Sequence, residues 1–334
     1  MTDHSTPVPH LSLPSITKRA PWQDRHETRV SNWMSPWDFS EEIDAGLIGA
    51  PYSAASITAS GAAGGPEAVR TAFKFNTTFS PDWDTDVQRL RVRDLGDIGG
   101  HLTDVSIAHA NIEAAVHGAL THATPFVPII VGGDHSITAP AVRGLCAANS
   151  GKRVGIVNVD AHLDVRTMDG VGPHNGTPFR ALVEGVDAIS GTNVVELGIH
   201  GFMNASHYWM WAQGQGLTLI SGRDVHRQGM EACIARALEV AGDGTDLIYV
   251  SVDIDCLAFP WAIGTSASSP EGLSGWDVLE AMFLCGQHPK VAGLDVVEID
   301  PSRDVKDLTA RSGCSIILTF LAGLQRRLNG DRGY

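Results

Sequence analysis

The alternation of apolar and polar positions along this chain predicts short buried strands separated by helices. AGLIGAPYS (45–53) reads as a first strand, and Gly64-Gly65-Pro66 then opens a helix through EAVRTAFKF, with proline near its first turn. RVRDLGDIG (91–99) and FVPIIVGGD (126–134) read as strands around a helix over 106–122. A helix over 137–149 leads into VGIVNVDAH (154–162), a strand apolar on both faces until its end. Further strands are predicted at 193–201, 217–225, 246–255 and 291–300, with helices at 229–241, 274–286 and 308–327. Strands buried on both faces and alternating with helices imply an α/β fold with a parallel sheet covered on either side. Residues 1–43 break the pattern, being polar with Pro7, Pro9, Pro14 and Pro21 and with Trp22, Trp33 and Trp37. They predict an irregular N-terminal arm ahead of one domain over 44–334. The arm's tryptophans pack either on their own subunit or on a neighbour.

Composition narrows the function. Across 334 residues, 38 Asp+Glu outnumber 24 Lys+Arg, a net charge of −14, which argues against binding nucleic acid or an anionic membrane. No apolar run is long enough to span a membrane or to serve as a secretory signal. Five cysteines (Cys146, Cys233, Cys256, Cys285, Cys314) without C-x-x-C spacing read as reduced thiols of a cytoplasmic protein.

The acidic residues are not evenly spread. In a parallel sheet, ligands bind beyond the carboxyl ends of the strands. Four predicted strands end there in unusual clusters: Gly132-Gly133-Asp134-His135-Ser136, Asp160-Ala161-His162-Leu163-Asp164, Asp253-Ile254-Asp255, and Glu298 in VVEIDP. If the extended geometry continues, the two-residue repeat points Asp160, His162 and Asp164 to one side, and Asp253 with Asp255 likewise. Carboxylates packed this way repel unless cations hold them. Two divalent ions would balance Asp160, Asp164, Asp253 and Asp255, with His135 and His162 as nitrogen ligands. An oxygen-rich set with some imidazole suits Mn²⁺ better than structural zinc; nickel, iron and zinc stay open on ligand type alone.

GGDHS, NVDAHLDVR, SVDID and VVEIDP together resemble the ureohydrolase superfamily of arginase, agmatinase and formimidoylglutamase. The resemblance runs from about residue 45 to 327 and takes in GPEAVR and Thr309-Ala310. It implies a three-layer α/β/α sandwich around a mostly parallel sheet, a binuclear manganese centre, homotrimers or homohexamers, and hydrolysis of a guanidino or formimino C–N bond. It implies His135, Asp160, His162, Asp164, Asp253 and Asp255 as ligands, with Asp164 and Asp253 bridging, Asp134 behind them, and Glu298 holding the cationic head of the substrate. Paired metals lower the pKa of a bridging water near neutrality, so that hydroxide can attack the planar carbon, with Asp255 as the acid for the departing nitrogen.

Two departures bear on the substrate. Agmatinase-like sequences place a histidine directly before GTPF as a proton shuttle or substrate contact; here Asn175, which cannot shuttle protons, stands there, so either the catalytic candidate His174, one residue earlier, swings in or the leaving group needs less help. Formimidoylglutamase-like sequences carry a small polar residue at that position, and the segment 198–212, with Phe202, Asn204 and Tyr208 as pocket candidates, also resembles theirs. Arg166 follows a predicted ligand by two residues, where it would repel the cationic tail of agmatine but pair with an acidic tail, with Arg180 assisting. The expected substrate is therefore N-formimidoyl-L-glutamate, giving glutamate and formamide. Agmatine or a guanidino acid such as guanidinobutyrate, releasing urea, and a non-catalytic metal-binding relative are the alternatives. A third departure, Ala258-Phe259 and Ala262-Ile263 where prolines and an aspartate are usual, predicts a looser loop near the metals.

Overall fold

The computed structural model describes residues 6–13, 19–21, 24–122 and 125–330. Eight parallel strands form the core of the sheet: β1 (Ala45–Ala50), β2 (Val92–Ile98), β3 (Val127–Gly132), β4 (Val154–Val159), β5 (Val194–Ile199), β6 (Thr218–Ser221), β7 (Leu247–Asp253) and β8 (Val291–Val297). Their spatial order is β2-β1-β3-β8-β7-β4-β5-β6. Alternate side chains feed the two faces. Val157 and Val159 join the layer formed by the helices Gly65–Ala72, Met230–Gly242, Gly275–Gln287 and Leu308–Asn329. Val154 and Ile156 face the helices Thr138–Ala148 and Pro178–Gly185 on the other side, which Val105–His122 also covers further along. This is a three-layer α/β/α sandwich.

The helices of the alternating pattern are present, with two differences. The strand predicted over 217–225 stops at Ser221, because Ser221 and Asp224 form a reciprocal capping box that starts the helix Gly222–Gln228. Helices Pro178–Gly185 and Ser206–Gly214 lie between strands in addition to the helices named from the sequence. The arm adds to the sheet edge, with Leu11–Ser12 antiparallel and Ser35–Pro36 parallel to β2. Trp37 is buried against Phe126 and donates from Nε1 to the Glu41 carbonyl at 3.1 Å, and Trp33 packs on the opposite core. Both tryptophans thus pack on their own subunit; Trp22 and Pro14 lie outside the described residues. No helix among the described residues is long and apolar enough to cross a membrane.

Candidate metal centre

The strand order explains why residues so far apart in sequence meet. β3, β8, β7 and β4 are successive neighbours, so their carboxyl ends deliver His135, Glu298, Asp253 and Asp160 along one edge. The chain leaves the sheet sooner than extended geometry would require. β4 ends at Val159 and β8 at Val297, and the chain then turns through Asp164 (φ 46°) and Glu298 (φ 62°). Left-handed backbone at a residue other than glycine costs of order 1–3 kcal/mol and concentrates at functional sites. Gly133 permits the turn before His135, since a Cβ there would lie 1.7 Å from the Tyr52 carbonyl oxygen.

The donor atoms form two groups. His135, Asp160, Asp164 and Asp253 make the first, and Asp160, His162 and Asp255 the second, with the atoms of each within 4.8 Å of one another. Nδ1 of His135 lies 3.3, 2.9 and 3.2 Å from Oδ2 of Asp160, Asp164 and Asp253. Nδ1 of His162 lies 3.5 Å from Oδ1 of Asp160 and 3.2 Å from Oδ2 of Asp255. Asp160 therefore turns one oxygen to each group. It is the carboxylate common to both groups, whereas Asp164 and Asp253, implied as bridging by the resemblance, both fall in the first group.

The groups fit divalent cations by their own chemistry. His135 Nδ1 and Asp255 Oδ1 are buried without a hydrogen-bond partner, a rare condition for polar atoms that a ligand would relieve. The tautomer of His135 follows from what stands behind it. Ser251 donates to Asp295 Oδ1 at 2.6 Å, so its Oγ accepts from His135 Nε2 at 3.0 Å and Nδ1 keeps its lone pair. Asp295 also accepts from Thr138 Oγ1 and Tyr249 Oη. Behind Asp160, the Asn158 amide donates to Asp160 Oδ2 at 3.1 Å and to Glu196 Oε2 at 2.8 Å. Asp295, Ser251, Asn158 and Glu196 are register partners across β8, β7, β4 and β5, a polar row beneath the donors.

Electrostatics points the same way. Burial and the neighbouring carboxylates push Asp164 and Asp253 above the usual carboxylate range. Against the penalty of burial, the carboxylates Asp255 and Asp160 raise the His162 imidazole to about 12. Without metal, the cluster collects protons in place of cations.

The remaining predicted residues divide. Glu298 accepts at Oε1 from the His135 N–H at 3.0 Å and from Asn175 Nδ2 at 3.0 Å. His174 is folded into its own turn, its Nδ1 accepting from the Gly176 N–H, so Asn175 is the residue of this pair that meets Glu298. Arg166 is exposed, has its guanidinium 5.6 Å above the Tyr208 ring, and pairs with no carboxylate among the described residues. Arg180 is different: it pairs with Glu184 at 2.9 Å and lies over Trp211, contacts that compete with a role at the substrate. Asp134 accepts from the N–H groups of Ser136 and Ala55, anchoring the 52–60 loop, and Asn204 pins the chain at Ala161 and Leu163. Phe202 projects fully into solvent. The loop expected to be loose is held by pairing of Leu257 with Leu273 and Ala258 with Ser269, and by Gly264 N–H to Thr309 Oγ1 at 2.8 Å.

Residues 43–323 match the family model for the arginase family. The chain belongs to the arginase family. A formimidoylglutamase of Halalkalibacterium halodurans is 36% identical over 304 residues, 91% of this chain and 94% of that protein. The crystal structure of formimidoylglutamase from Bacillus subtilis superposes with a TM-score of 0.86 at 34% identity, covering 91% of this chain and 94% of the other. Trypanosoma cruzi formiminoglutamase, crystallised with Mn²⁺, gives a TM-score of 0.81 at 27% identity over 90% of this chain and 99% of that one. Among arginase-family members, a pair of acidic and histidine donor groups at this sheet edge fits a two-metal hydrolase of amidine or guanidine C–N bonds.

Proposed function

We propose that this chain is a two-manganese hydrolase of a linear amidine with an acidic tail, converting N-formimidoyl-L-glutamate and water to L-glutamate and formamide. The similarity to formimidoylglutamases supports the reaction class, and the unpaired guanidinium of Arg166 carries the choice of tail. His135, Asp160, Asp164 and Asp253 would hold one ion, and Asp160, His162 and Asp255 the other. Bound there, the ions supply Lewis acidity and activate water. The rest falls to the side chains. Glu298 receives the cationic head through its free oxygen, by charge-assisted hydrogen bonds. Asp255 Oδ1, buried and unpartnered, takes up a proton from the attacking water and returns it to the glutamate nitrogen as its bond to the formimidoyl carbon breaks. Arg166 fixes the acidic tail at the rim.

Agmatine is disfavoured because its cationic tail would approach Arg166 without a carboxylate to receive it. One catalytic domain over 44–334, a cytoplasmic location and a homotrimer or homohexamer complete the reading; the exposed Trp261, Trp276 and Val305 support association between copies. Assay of the manganese-loaded protein on N-formimidoyl-L-glutamate, guanidinobutyrate and agmatine tests the function, with formamide and urea measured separately. Formamide from the first is expected. Urea from agmatine alone would refute the acidic-tail reading.

A further inference from the structure

Glu298 does not present a free carboxylate. Its side chain is buried, and both lone-pair directions of Oε1 are taken by the His135 N–H and by Asn175 Nδ2, each at 3.0 Å. Oε2 is buried without a partner. The amide of Asn175 cannot turn over to offer its oxygen instead. Its Oδ1 accepts from the Ile57 N–H at 3.1 Å, its Nδ2 lies 3.3 Å from Ser56 Oγ, and its backbone N–H donates to the Ala55 carbonyl at 3.1 Å. A flipped amide would set its oxygen against Glu298 and its nitrogen against the Ile57 donor.

We propose that Asn175 selects a formimidoyl over a guanidino head group, by occupying Oε1 of Glu298 so that the substrate meets one carboxylate oxygen only. The proposal deepens the functional reading above and rests on its assignment of Glu298 to the head group. An alkylguanidinium carries five N–H donors, and its favoured partner is a carboxylate with both oxygens open to a parallel pair of hydrogen bonds. A protonated formimidoyl group has three N–H donors and a C–H where the guanidinium has its second NH₂. One open oxygen can serve the terminal nitrogen of the formimidoyl group, and the C–H asks for no acceptor. The extra NH₂ of a guanidinium would be desolvated with nothing to receive it. A buried donor left unpaired reduces binding by roughly 10- to 100-fold. Asn175 acts through Glu298 and is thus a positioning residue that sets specificity.

The test compares the manganese-loaded wild type with Asn175→Ala and Asn175→Ser, both of which free the Oε1 acceptor site that Asn175 fills while the His135 N–H keeps the other, and with Ser56→Ala, which loosens the same loop but leaves both sites filled. Two readouts are taken. The first is the ratio of kcat/KM for N-formimidoyl-L-glutamate to that for N-carbamimidoyl-L-glutamate, the guanidino compound on the same tail. The second is the ratio of calorimetric Kd values for the bare formamidinium and guanidinium ions. Either Asn175 variant should lower both preferences for the formimidoyl form by about tenfold or more, and Ser56→Ala should leave them within twofold of wild type. Preferences unchanged in the Asn175 variants, or shifted equally by Ser56→Ala, overturn the proposal. If the wild type hydrolyses neither glutamate derivative, the functional reading fails while the ion pair still decides the role of Asn175.

Discussion

Replacing Ser251 by alanine tests whether the polar row beneath the donors organises the metal centre. Ser251 is fully buried, accepts from His135 Nε2 at 3.0 Å and donates to Asp295 at 2.6 Å. The substitution leaves the buried imidazole N–H without its acceptor, a cost of about 1–3 kcal/mol. Asp295 loses one donor but keeps Thr138 and Tyr249 on its other oxygen, so the strands stay joined. The ring is then free to turn Nε2 toward the carboxylates, which withdraws the Nδ1 lone pair from the first group. Loss of an outer hydrogen-bond partner of a ligand typically weakens metal binding by about 10- to 100-fold, equivalent to ~1.4–2.8 kcal/mol, the same range as the unpaired donor. Titration of chelator-stripped protein with Mn²⁺, followed by calorimetry, should show the weaker affinity mainly in the ion bound by His135. Urea unfolding of the stripped protein runs in parallel. Unchanged Mn²⁺ affinities alongside a loss of stability would refute the argument, leaving Ser251 as a packing residue only.

Asp160→Ala removes the carboxylate common to both groups and should abolish binding of both ions, whereas Asp164→Ala should leave the ion at His162 and Asp255. Metal content after gel filtration distinguishes them, and equal stoichiometries would refute the sharing. Arg166→Ala should raise KM for the acidic-tailed substrate by roughly tenfold with kcat little changed, as expected for a partly solvent-screened contact. Arg166→Glu should shift preference toward a cationic tail; unaltered KM values in both would remove Arg166 from the site. Burial, and secondarily Arg143, holds His109 at about 4, against an ordinary 6.5. The unfolded chain therefore binds the extra proton between pH 6.5 and 4, so this contribution is complete above 6.5 and is lost on acidification, by up to ~3 kcal/mol. In chelator, the stability difference between wild type and His109→Gln should shrink across that window, and a pH-independent difference would contradict the burial argument.

Much of this molecule is legible along the chain, but unevenly. The strands and long helices follow from apolar runs, because a sheet buried on both faces leaves little else for such runs to do. The donors are legible because they are charged residues at the ends of those runs. The expectation that Asp160, His162 and Asp164 line up through continued extension fails in geometry although the residues do gather around Asp160: the chain turns at Asp164, and Asp160 is the carboxylate common to the two donor groups. The polar row leaves a trace as well. Ser251 and Asn158 stand two residues before Asp253 and Asp160, hence on the same face of their strands. Their partners Asp295 and Glu196 are charged residues inside apolar runs, yet which strands adjoin is a property of the sheet order. The Arg180–Glu184 pair at helical spacing was open to reading and competes with any role for Arg180 at the substrate. The contact of Asn175 with Glu298, across 123 positions, was not.

That long-range contact shows why metal binding and substrate choice are separable in this fold. The candidate metal donors lie at the ends of three strands, β3, β4 and β7, and the polar row of Asp295, Ser251, Asn158 and Glu196 backs His135 and Asp160 from below. Changes there act on the ions first. Arg166 and Asn175 come instead from the connection after β4, above the sheet, where a loop can change without disturbing strand pairing. Glu298 joins the two levels, because its Oε1 holds the backbone of His135 while its Oε2 is buried without a partner, free for the head group under the proposed reading. Altering Glu298 should therefore damage metal binding and head-group recognition together, whereas altering Asn175 should act on head-group recognition and the 55–57 loop and spare the metal donors. On this arrangement, substitution at the loop can alter head-group preference in this chain while leaving the six candidate metal donors in place.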